Sequence, residues 1–596
     1  MPQRPTPDAS RYVLTSDVHT TIDSITLDEP WSLIERFTTL KREHPDDVRT
    51  AADEIVARLK RLGIPVDVHD PEVFLSIPGK GSVEAKGEGA GATYRAKPMA
   101  MSVAYPDGVT APLVYAPARY ARGADELFSR NLLGDGTLDM RGKIVVSEGF
   151  GMPGKVSHFE AGGALGMIAV NPGKNAHWGI CTNVWGTPDL RDLPRKPTLA
   201  VVAVNNPDGL ALIEHAKRGG EVTLTTNATE GWFRSPIPVV TIPGTEEPES
   251  FVLLHGHYDS WDFGIGDNAV GDATMLEVAR VLWNNRKSLK RSVRIAWWPG
   301  HSTGRYAGST WFADRFAIDL YERCIAQINC DSPGCRWATV YKDISWMDEA
   351  EGFAQSIIKD VTGQESQGER PHQAGDYSFN NIGITSFFML LSTMPDELRE
   401  QKGYYGVGGC GGNIAWHTEE DLIDIADRDI LVKDMRIYAA AAMAAANATV
   451  APFDFVKTLD GFSETLERYD AGACGKFDFA PARQAIGDLR AALNDFGKHA
   501  RPLQSAAISD KRVQRANAAI RRLARLLVPV NFTRGPAFFH DPAESIPALP
   551  DLHPALTLGD APPDQTGFIV THLTRGQNRL VAALRDARRV VEDAMA

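Results

Sequence analysis

The sequence predicts an α/β protein whose sheet is covered by helices on both sides, with a β-rich insert before it and a helical region after it. From 237 to about 450, apolar strand-like segments alternate with helical ones, as in an α/β sheet. From about 100 to 236, short strands are separated by Gly, Pro, Asn and Asp turns. From 451 onward, apolar residues recur at helical spacing.

Length and composition indicate a globular chain of several domains. The 596 residues are too many for one hydrophobic core and predict two to four domains. The net charge of −13 argues against a nucleic-acid partner, because phosphate binding needs a basic surface. We expect no membrane span, because no run of about 18 apolar residues occurs. The N-terminus has no apolar segment typical of a signal peptide, so we expect a cytoplasmic location.

The regions before the sheet contain patterns that predict individual helices and strands. Residues 28–62 read as two helices, and the segment Val66–Ile77 alternates in the manner of a strand. In the insert, the segment 138–146 is followed by a helix that includes 161–166 and by the strand-like residues 167–170. This unit resembles the protease-associated domain of some peptidases, although an ordinary βαβ unit is the alternative.

The α/β region and the C-terminal region follow with clear periodicities. The predicted strands of the α/β region are Phe251–Leu254, Val293–Trp297, Ile325–Asn329 and Ile384–Leu390. In the C-terminal region, two apolar stripes run along 513–527 and 580–591 and are separated by a Pro-rich stretch. Each stripe needs a surface to pack on, either in a second copy or in the same chain.

Residues suited to bind metal follow two of these strands. His257 comes just after the first strand, and Asp331 just after Ile325–Asn329; Asp267 and His417 complete the set. Imidazole and carboxylate groups bind zinc and related metals, and open α/β sheets carry their sites at the carboxyl ends of strands. The pair His257 and Asp259 after a strand is by itself weak evidence for a metal site, since a structural histidine would be more common there.

Motifs around these residues resemble those of peptidase family M28. That family has H-x-D, D-N-x-x-G, N-x-D and H-T-x-E-D motifs in this order, and matching motifs stand here at 257–259, 267–271, 329–331 and 417–421. The stretches 257–264 and 529–543 are similar to its glutamate carboxypeptidase II and transferrin receptor branch. The resemblance covers nearly the whole chain.

The resemblance implies a fold and a domain order. The fold would be a mixed-sheet α/β/α metallopeptidase domain with a protease-associated β-rich insert and a C-terminal helical domain. The regions would be 1–100 as the N-terminal part of the catalytic domain, 101–236 as the insert, 237–450 as the metal-binding domain and 451–596 as the helical domain. It also implies a homodimer built by the helical domain.

The same resemblance implies roles for single residues. His257 and Asp331 would bind one divalent metal, His417 would bind a second, and Asp267 would bridge both. Zinc is the expected ion, with manganese or iron as alternatives, and one or two ions are open. Asp259 would orient His257, because a carboxylate partner fixes the tautomer of a metal-binding imidazole; the alternative for Asp259 is a simple turn residue.

The sequence departs from the family in one turn. The family places Glu-Glu after a strand, where one Glu is the general base and the other binds the second metal. Here His301 and Ser302 stand at that place; a shift of the alignment by one residue would place Ser302 and Thr303 there instead. His301 has three possible roles: metal ligand, general base in place of the catalytic Glu, or polar filler.

Weaker candidates lie around the same pocket. Arg305 and Tyr306 follow the altered turn, and an arginine can clamp a substrate carboxylate. The segment 372–377 resembles a pocket-lining segment of the family, and the Gly-rich run 403–412 reads as a loop bordering the site. Each of these is more often a solvated or packing segment.

The leading functional hypothesis is a metal-dependent hydrolase of a peptide or small amide. One alternative is a repurposed metal enzyme, a lyase or hydratase, which would explain retained ligands beside a missing peptidase base. The other is a non-catalytic binding protein similar to the transferrin receptors. The expected partners are a small-molecule or peptide substrate and a second copy of the chain, with no nucleic acid and no membrane.

Overall fold

The computed structural model describes residues 12–87, 91–134, 137–372 and 374–596; the N-terminal residues on which the signal-peptide expectation rests lie largely outside these ranges. The strands are β1 Asp67–His69, β2 Glu72–Lys86, β3 Thr93–Pro98, β4 Tyr105–Tyr115, β5 Ile144–Glu148, β6 Gly166–Val170, β7 Ala200–Val204, β8 Glu221–Arg234, β9 Ile237–Ile242, β10 Glu247–His257, β11 Arg291–Trp298, β12 Cys324–Asn329, β13 Ile344–Ser345, β14 Gly368–Glu369 and β15 Ser386–Phe387.

The helices lie before, between and after these strands. They are α1 Ser16–Asp23, α2 Asp28–Phe37, α3 Pro45–Arg61, α4 Ala124–Leu127, α5 Pro153–Ala161, α6 Asn206–Lys217, α7 Val270–Asn284, α8 His301–Gly304, α9 Ala307–Arg315, α10 Ala317–Arg323, α11 Glu351–Thr362, α12 Asp396–Lys402, α13 Arg428–Asn447, α14 Phe455–Ala473, α15 Ala480–Ala500, α16 Lys511–Phe532, α17 Ala555–Leu558 and α18 Pro563–Met595. Within the described ranges, no helix has a stretch both long enough and apolar enough to cross a membrane.

A six-stranded mixed sheet forms the centre of the molecule, in the order β1-β9-β11-β10-β12-β15. Strand β10 runs parallel to both β11 and β12, whereas β9 and β1 are antiparallel to their neighbours. Along β10, Val252 and Leu254 pack into the cluster that includes α7 and α13, and Phe251 and Leu253 pack with Phe312 on the other face. Both faces are therefore covered, and the parallel strands bring their carboxyl ends to one edge.

The insert is a closed barrel in the order β2-β3-β7-β6-β5-β4-β8. Its interior is filled by apolar residues such as Ile144, Ile168, Val202 and Leu224. The barrel takes in residues 72–98 as well, which the family resemblance predicts as part of the catalytic domain. These residues belong to it because β2 pairs with β8 from Glu72↔Arg234 to Lys86↔Glu221.

The chain leaves the central sheet and returns to it through neighbouring strands. Asp67 pairs with Val239 and His69 with Ile237, so β1 and β9 form an antiparallel stem below the barrel. The single strand predicted over Val66–Ile77 is thus two strands, because the chain passes from the sheet into the barrel between β1 and β2.

The last predicted strand is also shorter than expected. Only Ser386–Phe387 pairs with β12, within the predicted Ile384–Leu390. Phe388 and Leu390 adopt positive φ values of 60° and 57°, a left-handed conformation that ends an extended strand.

The C-terminal helices bury their apolar stripes inside the chain. Helix α18 packs against α15 and α16. The stripe residues are all buried: Val513, Ile520, Leu523, Leu527, Leu580, Leu584, Ala587 and Val591. These stripes therefore give no argument for a second copy, and the homodimer stays a prediction that rests on the family resemblance.

Candidate functional site

Three side chains converge where the parallel strands end. His257 is the last residue of β10, His301 follows β11 after a two-residue turn, and Asp331 follows β12. The ligand atoms that they offer all lie within 4.8 Å of one another. The parallel register explains this convergence, because His257 pairs with Trp298 and His255 with Asn329.

Asp267 lies between two imidazoles. Its Oδ1 is 3.0 Å from Nε2 of His257, and its Oδ2 is 3.1 Å from Nε2 of His417. Nε2 of His257 is also 3.6 Å from Oδ2 of Asp331. Burial alone would raise the pKa of Asp267, but the two imidazoles hold it well below its ordinary value.

This arrangement fits a divalent metal. Nε2 of His257 and Oδ1 of Asp267 are buried and, among the described residues, neither forms an aligned hydrogen bond. Burial would lower the pKa of His257, but the adjacent Asp267 and Asp331 carboxylates raise it well above its ordinary value. A positive charge next to these two carboxylates is therefore favourable. Two imidazoles and two carboxylates supply the nitrogen and oxygen donors that zinc, manganese and iron accept.

Backbone carbonyls orient both imidazoles. Nδ1 of His257 lies 2.9 Å from the carbonyl oxygen of Asp259, and Nδ1 of His417 lies 3.0 Å from that of Trp178. A carbonyl oxygen only accepts, so Nδ1 donates in both rings, and Nε2 is the nitrogen that each ring turns toward Asp267. The partner of a metal-binding imidazole fixes its tautomer in this way.

Asp259 orients His257 through its main-chain carbonyl, whereas the family resemblance predicts that its carboxylate does so. The carboxylate instead accepts hydrogen bonds from the backbone N–H of His301 at 3.0 Å and of Ser302 at 2.8 Å. Asp259 thereby holds the altered turn in place, a role that its position two residues after His257 could not reveal.

His301 is paired with a buried carboxylate. Its Nδ1 lies 2.9 Å from Oδ2 of Asp376, whose Oδ1 accepts a hydrogen bond from Ser309 at 2.7 Å. Burial would raise the pKa of Asp376, but the charge and hydrogen bond of His301 outweigh it and lower that pKa. The His301 ring stacks on His257 at 3.7 Å between centroids, so it belongs to the same cluster.

Asp376 and Asp421 are supporting residues for which the sequence predicts no role. Asp376 lies 75 positions from His301, and only its inclusion in the segment 372–377 hinted at it. Asp421 accepts hydrogen bonds from the backbone N–H of Gly266 at 2.6 Å and of Asp267 at 3.0 Å. Its place in the motif 417–421 was a signal. Burial raises the pKa of Asp421 to about 7.

A cleft of about 100 Å³ lies over these residues and opens to solvent. Its floor includes Asp267, His301, Asp331 and His417. Its walls come from the barrel and from the domain of the central sheet and are mostly apolar: Met99, Phe150, Met152, Trp178, Ile180, Trp261, Tyr306, Met389 and Trp416. Of the weaker candidates from the sequence, Arg305, Tyr306, His372 and Gly408 line this cleft.

Two regions of the chain match known protein families. Residues 239–442 match Peptidase family M28, and residues 109–223 match the PA domain. The chain is 23% identical over 280 residues to the probable glutamate carboxypeptidase VP8 of Zea mays, an alignment that covers 45% of this chain and 39% of that protein. It is 33% identical over 125 residues to the aminopeptidase NAALADL1 of Mus musculus, covering 20% of this chain and 16% of that protein. The chain thus matches well under two thirds of the length of these curated relatives.

A solved structure supports the fold. The zinc aminopeptidase BSAP from Bacillus subtilis superposes with a TM-score of 0.51 at 20% sequence identity, covering 70% of this chain and 94% of that one. At this level of identity the likeness concerns the fold alone.

Proposed function

Because this chain carries a peptidase family M28 domain together with a PA domain, we propose that it is a metal-dependent hydrolase of a peptide or small amide. The observation that carries the proposal is the convergence of His257, Asp267, Asp331 and His417 at one sheet edge, below a cleft. The names of its relatives, a glutamate carboxypeptidase and an aminopeptidase, support cleavage of an amide bond.

The proposed metal centre uses the four residues in distinct positions. His257 and Asp331 would hold one ion, His417 would hold a second, and Asp267 would be shared between them because its two oxygens face the two imidazoles. Zinc is the proposed ion, with manganese or iron as alternatives. A bound divalent metal would polarise the substrate carbonyl and make water a better nucleophile.

His301 is proposed to take the place of the family's catalytic Glu as proton acceptor. Asp376 holds the hydrogen on Nδ1, so Nε2 is left as the basic atom of the ring. A buried carboxylate in this position also stabilises the imidazolium that forms when a proton is taken up. Asp259 supports this role by fixing the backbone N–H groups of His301 and Ser302.

The rest of the cleft would bind and shield the substrate. Phe150, Met152 and Trp178 of the barrel and Trp261 and Trp416 of the catalytic domain line it, so substrate entry displaces water from an apolar surface. Exclusion of water strengthens the electrostatic interactions of the charged floor.

One experiment tests the function and the role of His301 together. We expect purified protein incubated with zinc, manganese or iron to hold at least one equivalent of metal by elemental analysis, and to hydrolyse members of a panel of peptides and N-acyl amides. His301→Ala should keep its metal and lose about 10²–10⁴ in rate, as is typical of a general base. Loss of metal from this variant would make His301 a ligand. A metal-loaded protein that only adds or eliminates water across double bonds would support the lyase or hydratase alternative.

The homodimer through the C-terminal region is retained as a proposal. Light scattering at micromolar concentration tests it directly, and a monomeric mass would reject it.

A further inference from the structure

Arg305 is a buried cation with unused hydrogen-bond donors. It follows the short helix α8, lines the cleft, and has only 4% of its surface exposed. Nε and Nη2 are buried and have no hydrogen-bond partner among the described residues. Nη1 makes one long contact, 3.4 Å, to the carbonyl oxygen of Ile180. The ring of Tyr306 lies 5.4 Å from the guanidinium carbon, but it carries no negative charge. Burial of a charge without an ionic partner is strongly unfavourable, and among the described residues this guanidinium has no anionic partner.

Two other buried arginines, Arg42 and Arg525, are satisfied by the protein itself. Arg42 donates to the carbonyl oxygens of Tyr258, Phe263 and Gly264. Arg525 donates to several carbonyl oxygens, one of them that of Cys324 at 2.6 Å. In the described part of the chain, no carboxylate forms an ion pair with Arg305, in contrast to Arg291, which pairs with Glu247 at 2.6 Å.

The two unused groups form one edge of the guanidinium. In a planar guanidinium, N–H of Nε and one N–H of Nη2 point in the same direction, at the spacing of the two oxygens of a carboxylate. The backbone holds this edge in place, because Gly186 of the barrel donates to the carbonyl oxygen of Arg305 at 2.7 Å. The next residue, Tyr306, packs its ring edge-on against His301 at 4.9 Å. Arg305 therefore stands beside the reacting floor of the cleft.

We propose that Arg305 binds a carboxylate of the substrate, and that the substrate class is an amide carrying a carboxylate next to an aromatic or large apolar group. That the bound carboxylate belongs to a substrate rests on the proposed function. The carboxylate-binding site itself does not rest on it. The carboxylate matches the two donors and single charge of Arg305, and the apolar group matches the walls formed by residues such as Phe150, Met152 and Trp178.

The test compares two probes that differ only in charge: N-acetyl-L-phenylalanine and N-acetyl-L-phenylalaninamide. Their binding is measured by calorimetry on zinc-loaded protein and on protein treated with EDTA, because zinc itself can attract a carboxylate. We expect the acid to bind more tightly than the amide by about tenfold to a hundredfold, the usual effect of hydrogen bonds to a charged group, and the preference to persist without metal.

Three variants identify the residue responsible. Arg305→Gln keeps the length and polarity and should remove the preference for the acid in both metal states. Arg305→Lys keeps the charge without the planar edge and should retain only part of it. Arg122→Gln removes an exposed arginine shortly before the cleft residue Leu127 and should leave the preference intact. Circular dichroism confirms that each variant is folded.

The outcomes separate this inference from the proposed function. An equal preference in wild type and folded Arg305→Gln, or no preference in wild type, would overturn the carboxylate site. If amides are hydrolysed but acidic and neutral members of the panel react equally, the specificity is wrong while the hydrolase stands. If no amide is hydrolysed but the Arg305-dependent preference is found, the binding site stands and the hydrolase is rejected.

Discussion

Trp178 of the barrel and His417 of the central α/β domain are joined by two reciprocal hydrogen bonds. The backbone N–H of Trp178 donates to the carbonyl oxygen of His417 at 2.9 Å, and Nδ1 of His417 donates to the carbonyl oxygen of Trp178 at 3.0 Å. The orientation of a candidate metal ligand is thus set by the backbone of another domain.

Trp178→Ala should weaken metal binding, although its side chain does not touch the ion site. The indole anchors this backbone by donating to Asp262 at 3.0 Å and stacking on Trp261 at 5.5 Å. Loss of a partner that orients a ligand typically costs 10- to 100-fold in metal affinity, which a competition titration with a zinc chelator measures. Trp232→Ala, an exposed barrel tryptophan, is the matched control. Equal zinc affinity in all three proteins would contradict the prediction.

Asp267→Asn should lose more metal than any other single ligand change. Its two oxygens face His257 and His417, and an amide offers neither the charge nor two equivalent oxygens. Elemental analysis after gel filtration should find well under half the metal of wild type. Asp424→Asn removes an exposed carboxylate that follows the motif 417–421, and this variant should retain its full metal content. A full complement of metal in Asp267→Asn would rule out the bridging role.

Asp376→Asn should slow hydrolysis while the metal stays bound. The amide cannot hold the His301 ring in the same tautomer as the carboxylate does, and proton transfer by a positioned group contributes about 10²–10⁴ in rate. Steady-state rates and metal content are measured on the same sample. Ser309→Ala, which removes one hydrogen bond to Asp376, should have a much smaller effect. Full activity in Asp376→Asn would leave His301 without its proposed role.

Asp434→Asn should change how stability depends on pH. Burial raises the pKa of Asp434 to about 6, so between its ordinary value and 6 the folded protein binds more protons than the unfolded chain. Stability therefore falls as pH rises through this window, by up to about 3 kcal/mol. Asn does not titrate, so this contribution is absent in the variant.

Thermal unfolding at pH 4 and pH 7 measures the effect. From pH 4 to pH 7, the unfolding midpoint of Asp434→Asn should rise relative to that of wild type. Hydrogen bonds that Asp434 accepts from Gly334, Tyr341 and Ser392 lower the variant's stability at both pH values, so only the difference between them is diagnostic. Parallel curves for the variant, wild type and the exposed control Asp424→Asn would disprove the link.

The sequence was informative where the signal is local. His257 and Asp331 follow predicted strands, and the parallel pairing of those strands brings the two side chains together. The apolar stripes at 513–527 and 580–591 were visible as helices, but their partners were not. A periodic pattern shows that a face is buried and does not show what covers it.

Contacts between distant segments could not be predicted either, because a local pattern does not show which residues meet in the folded chain. Trp178 lies 239 positions from His417, and the carboxylate of Asp376 reaches His301 across a loop that shows no strong periodicity. Arg305 was noticed as a possible carboxylate clamp, but its unpartnered edge is a property of packing. The expected strand over Ile384–Leu390 failed because positive φ values at Phe388 and Leu390 are not encoded by hydrophobicity.

The stem formed by β1 and β9 has a consequence for the order of assembly. Because β1 and β9 are paired below the barrel, the folded barrel holds the two parts of the central sheet as close together as a short hairpin would. Closing the chain between these two parts then costs little further entropy. The barrel can thus mature before the sheet does. The ion site cannot, because His417 reaches its orientation only when Trp178 is docked. Metal binding should therefore be the last step of folding, so that only fully folded molecules hold the metal.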